Sequence, residues 1–76
     1  MKDLLTQIAQ ALVDDPERVS VTEIGDGQTI MMKLRVARSD IGKVIGKQGR
    51  MANAIRTVLA AASGKTQERY MLEIVD

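Results

Sequence analysis

The chain has 76 residues, no Cys, no His and a formal net charge of +1. This length gives one domain with a small core, and the composition excludes disulfide staples and the commonest metal ligands. It also leaves general acid–base and nucleophilic catalysis without their usual residues, so neither an enzyme, a cofactor nor a small-molecule substrate is expected.

Leu4, Leu5, Ile8, Ala11 and Leu12 recur at helical spacing and predict an amphipathic helix over residues 2–14. Asp3 suits its positive end, and Pro16 disfavours helical geometry at Asp15. The segment lacks the continuous apolar stretch and small-residue cleavage site of a signal peptide. No apolar run approaches the ~20 residues that span a membrane. A cytoplasmic domain with no membrane partner is the expectation.

Two β-like runs follow around Gly25-Asp26-Gly27, which is hairpin chemistry. In the second run Ile30, Met32, Leu34 and Val36 alternate with Met31, Lys33 and Arg35, so period two sends the first set to the core. The first run alternates less cleanly and reads as an edge strand. Ser39 is then an expected N-cap for a short helix, with Asp40 in its first turn and an apolar face of Ile41, Val44 and Ile45. Gly46 ends that helix. A longer helix resumes after Gly49, with Met51, Ile55, Val58, Leu59 and Ala62 expected on one face. Residues 63–67 read as a loop. Arg69–Val75 close the chain as a strand with Tyr70, Leu72 and Ile74 on one side and Met71, Glu73 and Val75 on the other.

The order α-β-β-α-α-β implies an α+β domain over residues 1–76. Its last two strands are joined by a helical crossover and therefore run parallel. A three-stranded mixed sheet with all three helices on one face is expected.

Charge is unevenly distributed along this order. Residues 1–32 hold Lys2 and Arg18 against six acids, a balance of −4. Residues 33–50 hold Lys33, Arg35, Arg38, Lys43, Lys47 and Arg50 against Asp40 alone, a balance of +5. Such a block points to an anionic partner at one place, although a solvated basic surface would look the same.

Within the block lies Gly46-Lys47-Gln48-Gly49, four residues joining two helices. A helix start offers unpaired N–H groups and a positive dipole end to an anion. Glycines let a phosphate approach the backbone closely, while Lys47 and the flanking Lys43 and Arg50 add charge and Gln48 adds a neutral donor. A P-loop is excluded, because only three residues separate Gly42 from Gly46 where the motif has four, and Gln48 occupies the Ser/Thr position. The dinucleotide fingerprint is absent as well. A plain helix–helix connection is the structural alternative.

"VIGKQGRMANAI" resembles the signature of KH domains, and the element order resembles their type II arrangement. Over its whole length the chain is similar to the small bacterial KhpA-type KH proteins. The family's GxxG loop clamps about four single-stranded nucleotides. The resemblance implies that Gly46, Lys47, Gln48 and Gly49 form this clamp and that Ile41, Gly42, Val44 and Ile45 form the helix side of a nucleotide groove. Gly42 would let bases lie close to the helix, and Ile45 could equally be an ordinary core residue. The opposite wall falls near residues 63–68, with Arg69, Tyr70 and Met71 beside it. With Tyr70 the only aromatic residue, a row of stacking platforms is lacking and single-copy binding should be weak. The resemblance further implies self-association and a larger KH-containing partner of KhpB type. The role implied is that of an RNA chaperone or post-transcriptional regulator linked to cell elongation and envelope growth. Ala60 and Ala61, left off the main apolar face of the last helix, are the candidate dimer face. A protein-interaction adaptor that retains the KH fold for dimerisation is the competing function. Single-stranded DNA stays an alternative ligand, since no residue is identified that reads a 2′-hydroxyl.

Overall fold

A computed structural model describes residues 1–25, 28–64 and 69–76. Six regular elements follow in the expected order: α1 (Lys2–Leu12), β1 (Ser20–Gly25), β2 (Thr29–Arg35), α2 (Ile41–Ile45), α3 (Arg50–Ala62) and β3 (Arg69–Val75). Short 3₁₀ turns at Pro16–Arg18, Arg38–Asp40 and Lys47–Gly49 join them. The sheet order is β1-β2-β3, with β1 antiparallel to β2 and β2 parallel to β3. This is the mixed sheet of a type II KH fold, and β1 is an edge strand as its weaker alternation suggested.

Register explains why the pattern in β2 was readable. Val21 faces Leu34, Met32 faces Leu72 and Leu34 faces Ile74, so one sheet face carries a continuous apolar surface. Leu5 and Ala9 of α1, Val44 of α2, and Ile55 and Leu59 of α3 close over it with Val21, Met32, Leu34, Val36 and Leu72. Tyr70 and Ile74 pack at the margin of this core. A single aliphatic cluster on one side of the sheet supplies the burial that drives folding of so short a chain.

Several expectations are corrected in detail. Helix α1 stops at Leu12, two residues early, because Val13 is extended and the next two N–H groups bond elsewhere. Ser39 does not cap α2: the Arg38–Asp40 turn precedes the helix, and neither element has a side-chain cap. Val58 and Ala62 lie on the exposed flank of α3, whose buried residues are Ala52, Ile55 and Leu59. Ile45 is not a core residue but 37% exposed. The hairpin is present, with Gly25 opposite Ile30. Asp26 and Gly27 of its turn, and residues 65–67 of the expected loop, lie outside the described residues. None of the described helices is long and apolar enough to cross a membrane.

Candidate nucleic-acid interface

Helix α2 ends where Gly46 takes φ 76°, and the following turn runs through Gln48 at φ 58° and Gly49 at φ 75°. Three of four residues in the turn thus adopt positive φ. Glycine does so without steric cost, whereas Gln48 stores strain of about 1–2 kcal/mol. A non-glycine residue held in this region is uncommon and makes the turn a candidate site. The two glycines are required for different reasons. A Cβ on Gly46 would stand 2.6 Å from Met51 Cβ and 2.8 Å from Met51 N, so the start of α3 packs directly on it. A Cβ on Gly49 would meet nothing within 4 Å, so only its backbone angle demands glycine.

This turn projects Lys47, Gln48 and Arg50 into solvent. Neither Lys47 nor Arg50 forms an ion pair among the described residues. Gly49 caps α3 and has no side chain to fold over the first N–H groups, which leaves the helix start to an outside acceptor.

Beside the turn runs an open cleft of about 400 Å³. It is lined by Ile45 and Gly49 beside the turn, by Ala52, Asn53 and Arg56 of α3, and by Leu72, Glu73 and Ile74 of β3. The outer wall is a strand edge. Arg69 N–H donates to the Gln28 carbonyl and the Val75 carbonyl accepts from Val36, so these alternate residues point toward β2. Leu72 and Ile74 have the opposite phase and direct backbone N–H and C=O groups to the outer side. The cleft therefore combines apolar side chains (Ile45, Ala52, Leu72, Ile74) with the polar Asn53, Arg56 and Glu73 and with backbone donors and acceptors, next to a cationic turn.

The residues expected at this site are distributed as follows. Gly46, Lys47, Gln48, Gly49 and Arg50 form the turn. Ile45 lines the cleft, Gly42 is exposed on α2 with open space around it, Ile41 is half-buried against the core, and Val44 is wholly buried. Arg69, Tyr70 and Met71 do not line the cleft: Tyr70 packs on the core, and Met71 is 48% exposed on the opposite sheet face. The β3 wall lies one to three residues further on. Of the expected opposite loop near residues 63–68, residues 65–68 lie outside the described residues. Asn53 and Arg56, joined by an Arg56 Nη1 to Asn53 Oδ1 hydrogen bond of 3.1 Å, were missed by the sequence reading. Their spacing from Gly49, four and seven residues, places all three on one side of α3 and was the available signal. Ala60 and Ala61 are exposed, as is Val58.

Lys43 has another occupation. Its Nζ donates to Asp14 Oδ2 and lies 3.6 Å from Asp40 Oδ1. The hydrogen bond to Asp14, helped by the charges of Asp14 and Asp40 and opposed by desolvation, raises its pKa above the ordinary 10.5. Asp40, 1% exposed, accepts the Asp14 N–H at 3.2 Å and the Asp15 N–H at 3.1 Å. One buried carboxylate thereby ties the end of α1 to the start of α2 and fixes the base from which the glycine turn projects. Among the described residues no group of three or more acids is placed to hold a metal ion.

Comparison with known proteins agrees with this geometry. A family model described as "KhpA/KhpB, KH domain" matches residues 2–74. The chain is 53% identical over 75 residues to the RNA-binding protein KhpA of Clostridium acetobutylicum, covering 99% of this chain and 100% of that one. It is 53% identical over 76 residues to the protein of the same name from Treponema pallidum, at 99% and 94% coverage. The Aquifex aeolicus protein of that name is 46% identical over 76 residues, at 100% and 96% coverage. No solved structure matches. Helix–glycine turn–helix geometry and near full-length similarity converge, and the chain belongs to the KhpA/KhpB family of KH-domain proteins.

Proposed function

We propose that this protein binds single-stranded RNA by clamping its backbone on the Gly46–Gly49 turn and laying its bases along the cleft between α3 and β3. The observation that carries the reading is the turn itself: three positive φ angles, two exposed side chains and no internal ion pair, beside an open groove. The names of the curated relatives, all RNA-binding proteins, support it. Phosphate neutralisation, apolar contact with Ile45 and hydrogen bonds to the β3 edge supply the affinity. With about three phosphates neutralised, log K should fall with log salt at a slope of about −2. The cellular role that fits is that of a cytoplasmic RNA chaperone or post-transcriptional regulator, working with a larger KhpB-type KH protein in cell elongation and envelope homeostasis. Weak single sites gain affinity when joined, and a homodimer or such a heteromer would join them.

The test is fluorescence anisotropy of a short labelled single-stranded RNA against the wild type and Lys47→Asp/Gln48→Asp. Asp is among the residues that tolerate left-handed geometry, so the variant should keep its circular dichroism spectrum. Loss of binding in the folded variant supports the clamp, and equal binding refutes it. A second reading has its own observation. Ala54, Val58 and Ala61, spaced four and three apart, leave an exposed small-residue stripe on α3 beside Ala60. If no RNA binds at any salt concentration while light scattering shows dimers, the adaptor function takes precedence.

A further inference from the structure

At the end of α2 remote from the glycine turn lies a second cavity of about 510 Å³, lined by Arg18, Arg35, Val36, Ala37, Arg38 and Asp76. Its three guanidinium groups come from three separate elements: the Pro16–Arg18 turn, the last residue of β2 and the turn that precedes α2. Arg18 Nε lies 3.3 Å from Asp15 Oδ2 and Arg38 Nε 3.9 Å from Asp76 Oδ2, both pairs well exposed. Exposed pairs of this kind are weak and yield to a competing anion. Arg35 forms no ion pair among the described residues. Three arginines lining one cavity suit phosphodiester oxygens, which a guanidinium can bind two at a time.

The cavity and the cleft share no lining residue but lie at opposite ends of the Arg38–Ile45 segment. Ile45, at one end of α2, sits at the Leu72–Ile74 stretch of β3, whereas Arg38, seven residues earlier, sits at Asp76. The helix therefore runs beside the last residues of β3 in the opposite direction. Gly42 and Ile45 are three apart and share one side of α2, and Arg38 lies in the turn that leads into it. Gly42 between them presents no side chain, and even a Cβ there would touch nothing. From Ile74 to Asp76 is about 7 Å of strand, at roughly 3.3 Å per residue.

We infer that Arg18, Arg35 and Arg38 form a second phosphodiester site, which holds the stretch of a single-stranded RNA that continues past the glycine clamp over Gly42. The inference rests on the clamp being an RNA site, and it extends the footprint beyond about four nucleotides.

The experiment measures salt slopes of binding for oligouridylates of about four and about eight nucleotides. It compares the wild type, Arg18→Gln/Arg35→Gln/Arg38→Gln, and a control, Lys2→Gln/Lys33→Gln. Slope is the deciding readout, because a longer strand gains affinity from extra registers on any single site. For the wild type the longer RNA should give a slope steeper by about 0.7 for each added phosphate contact. The triple variant should bind the short RNA as the wild type does and show no steepening, while the control keeps it. Equal wild-type slopes for the two lengths would overturn the inference and leave the clamp intact. So would steepening that survives in the triple variant or is lost equally in the control. Failure of the wild type to bind the short RNA would overturn the clamp, and this inference with it.

Discussion

Replacing Gly42 with Ala should raise stability and lower RNA affinity together. Gly42 is the second residue of α2, its φ is not in the left-handed region, and an added Cβ would meet nothing within 4 Å. No steric cost therefore opposes the helical preference for Ala, which is worth 0.8–1.0 kcal/mol in a helix interior and here, near the end of a short helix, about 0.7 kcal/mol. In a domain of this size that raises Tm by roughly 4 °C. The same methyl stands on the surface over which the proposed RNA passes. If it displaces one base from close contact and about 40 Å² of apolar contact is lost, at about 25 cal/mol per Å² the loss is about 1 kcal/mol and Kd rises about fivefold. Thermal melts by circular dichroism and anisotropy titrations on one preparation measure both effects. A higher Tm with unchanged Kd would refute the path of RNA over α2. A lower Tm would refute the claim that the helix surface at Gly42 is open.

The other substitutions probe the framework. Gly46→Ala should lower stability more than Gly49→Ala in chemical denaturation, because only the first adds a clash with Met51 to the cost of a left-handed angle of about 1–2 kcal/mol; equal losses would refute the packing of α3 on the turn. Asp40→Ala removes a carboxylate acceptor from two backbone N–H groups, at about 1.5 kcal/mol each, so Tm should fall by roughly 15 °C, and Asp40→Asn, which keeps one acceptor, by about half. Lys43 has a raised pKa, so its contribution is complete below its unfolded value of about 10.5 and declines as pH climbs through the higher folded value. Urea titrations should therefore show the stability gap between wild type and Lys43→Met narrowing above that pH, and a constant gap would refute the ion pair.

The elements most legible in the sequence were those whose pattern answers to one dominant force. β2 is the central strand, with one face in the core, so its period-two alternation reports burial directly. Gly46 was legible for a similar reason, because it both ends α2 and opens the turn. Asp40 was not. As the single acid in a basic block it resembled a first-turn charge, and its true partners, the N–H groups of Asp14 and Asp15, lie about 25 residues away in sequence. Long-range bonds of a side chain to backbone leave no periodic trace. Ile45 was ambiguous for a different reason: its apolar character and helical phase fit a core residue as well as a groove residue, and only tertiary packing puts it in the lining of the cleft. The wall from β3 was read three residues early. Sequence sets the phase of a strand, whereas its position along the neighbouring helix follows from how α3 packs on it.

The arrangement also explains how a small domain sustains a strained turn. Net stability at 76 residues is on the order of 4–11 kcal/mol, so strain of about 1–2 kcal/mol at Gln48 is a substantial fraction of it. Such a turn persists only if both flanking helices are held independently of it. Helix α3 is held by Ala52, Ile55 and Leu59 in the core, but α2 has five residues and buries only Val44 fully. Its additional anchor is polar: Asp40 bonded to the chain after α1, with Lys43 balancing the charge one turn later. That polar tie lies on the side of α2 facing α1, which leaves Gly42 and Ile45 clear for a ligand. The buried carboxylate therefore does more than satisfy two N–H groups. It lets α2 be fixed by one side and bind with the other, a division that an apolar anchor on so short a helix could not provide without covering the groove.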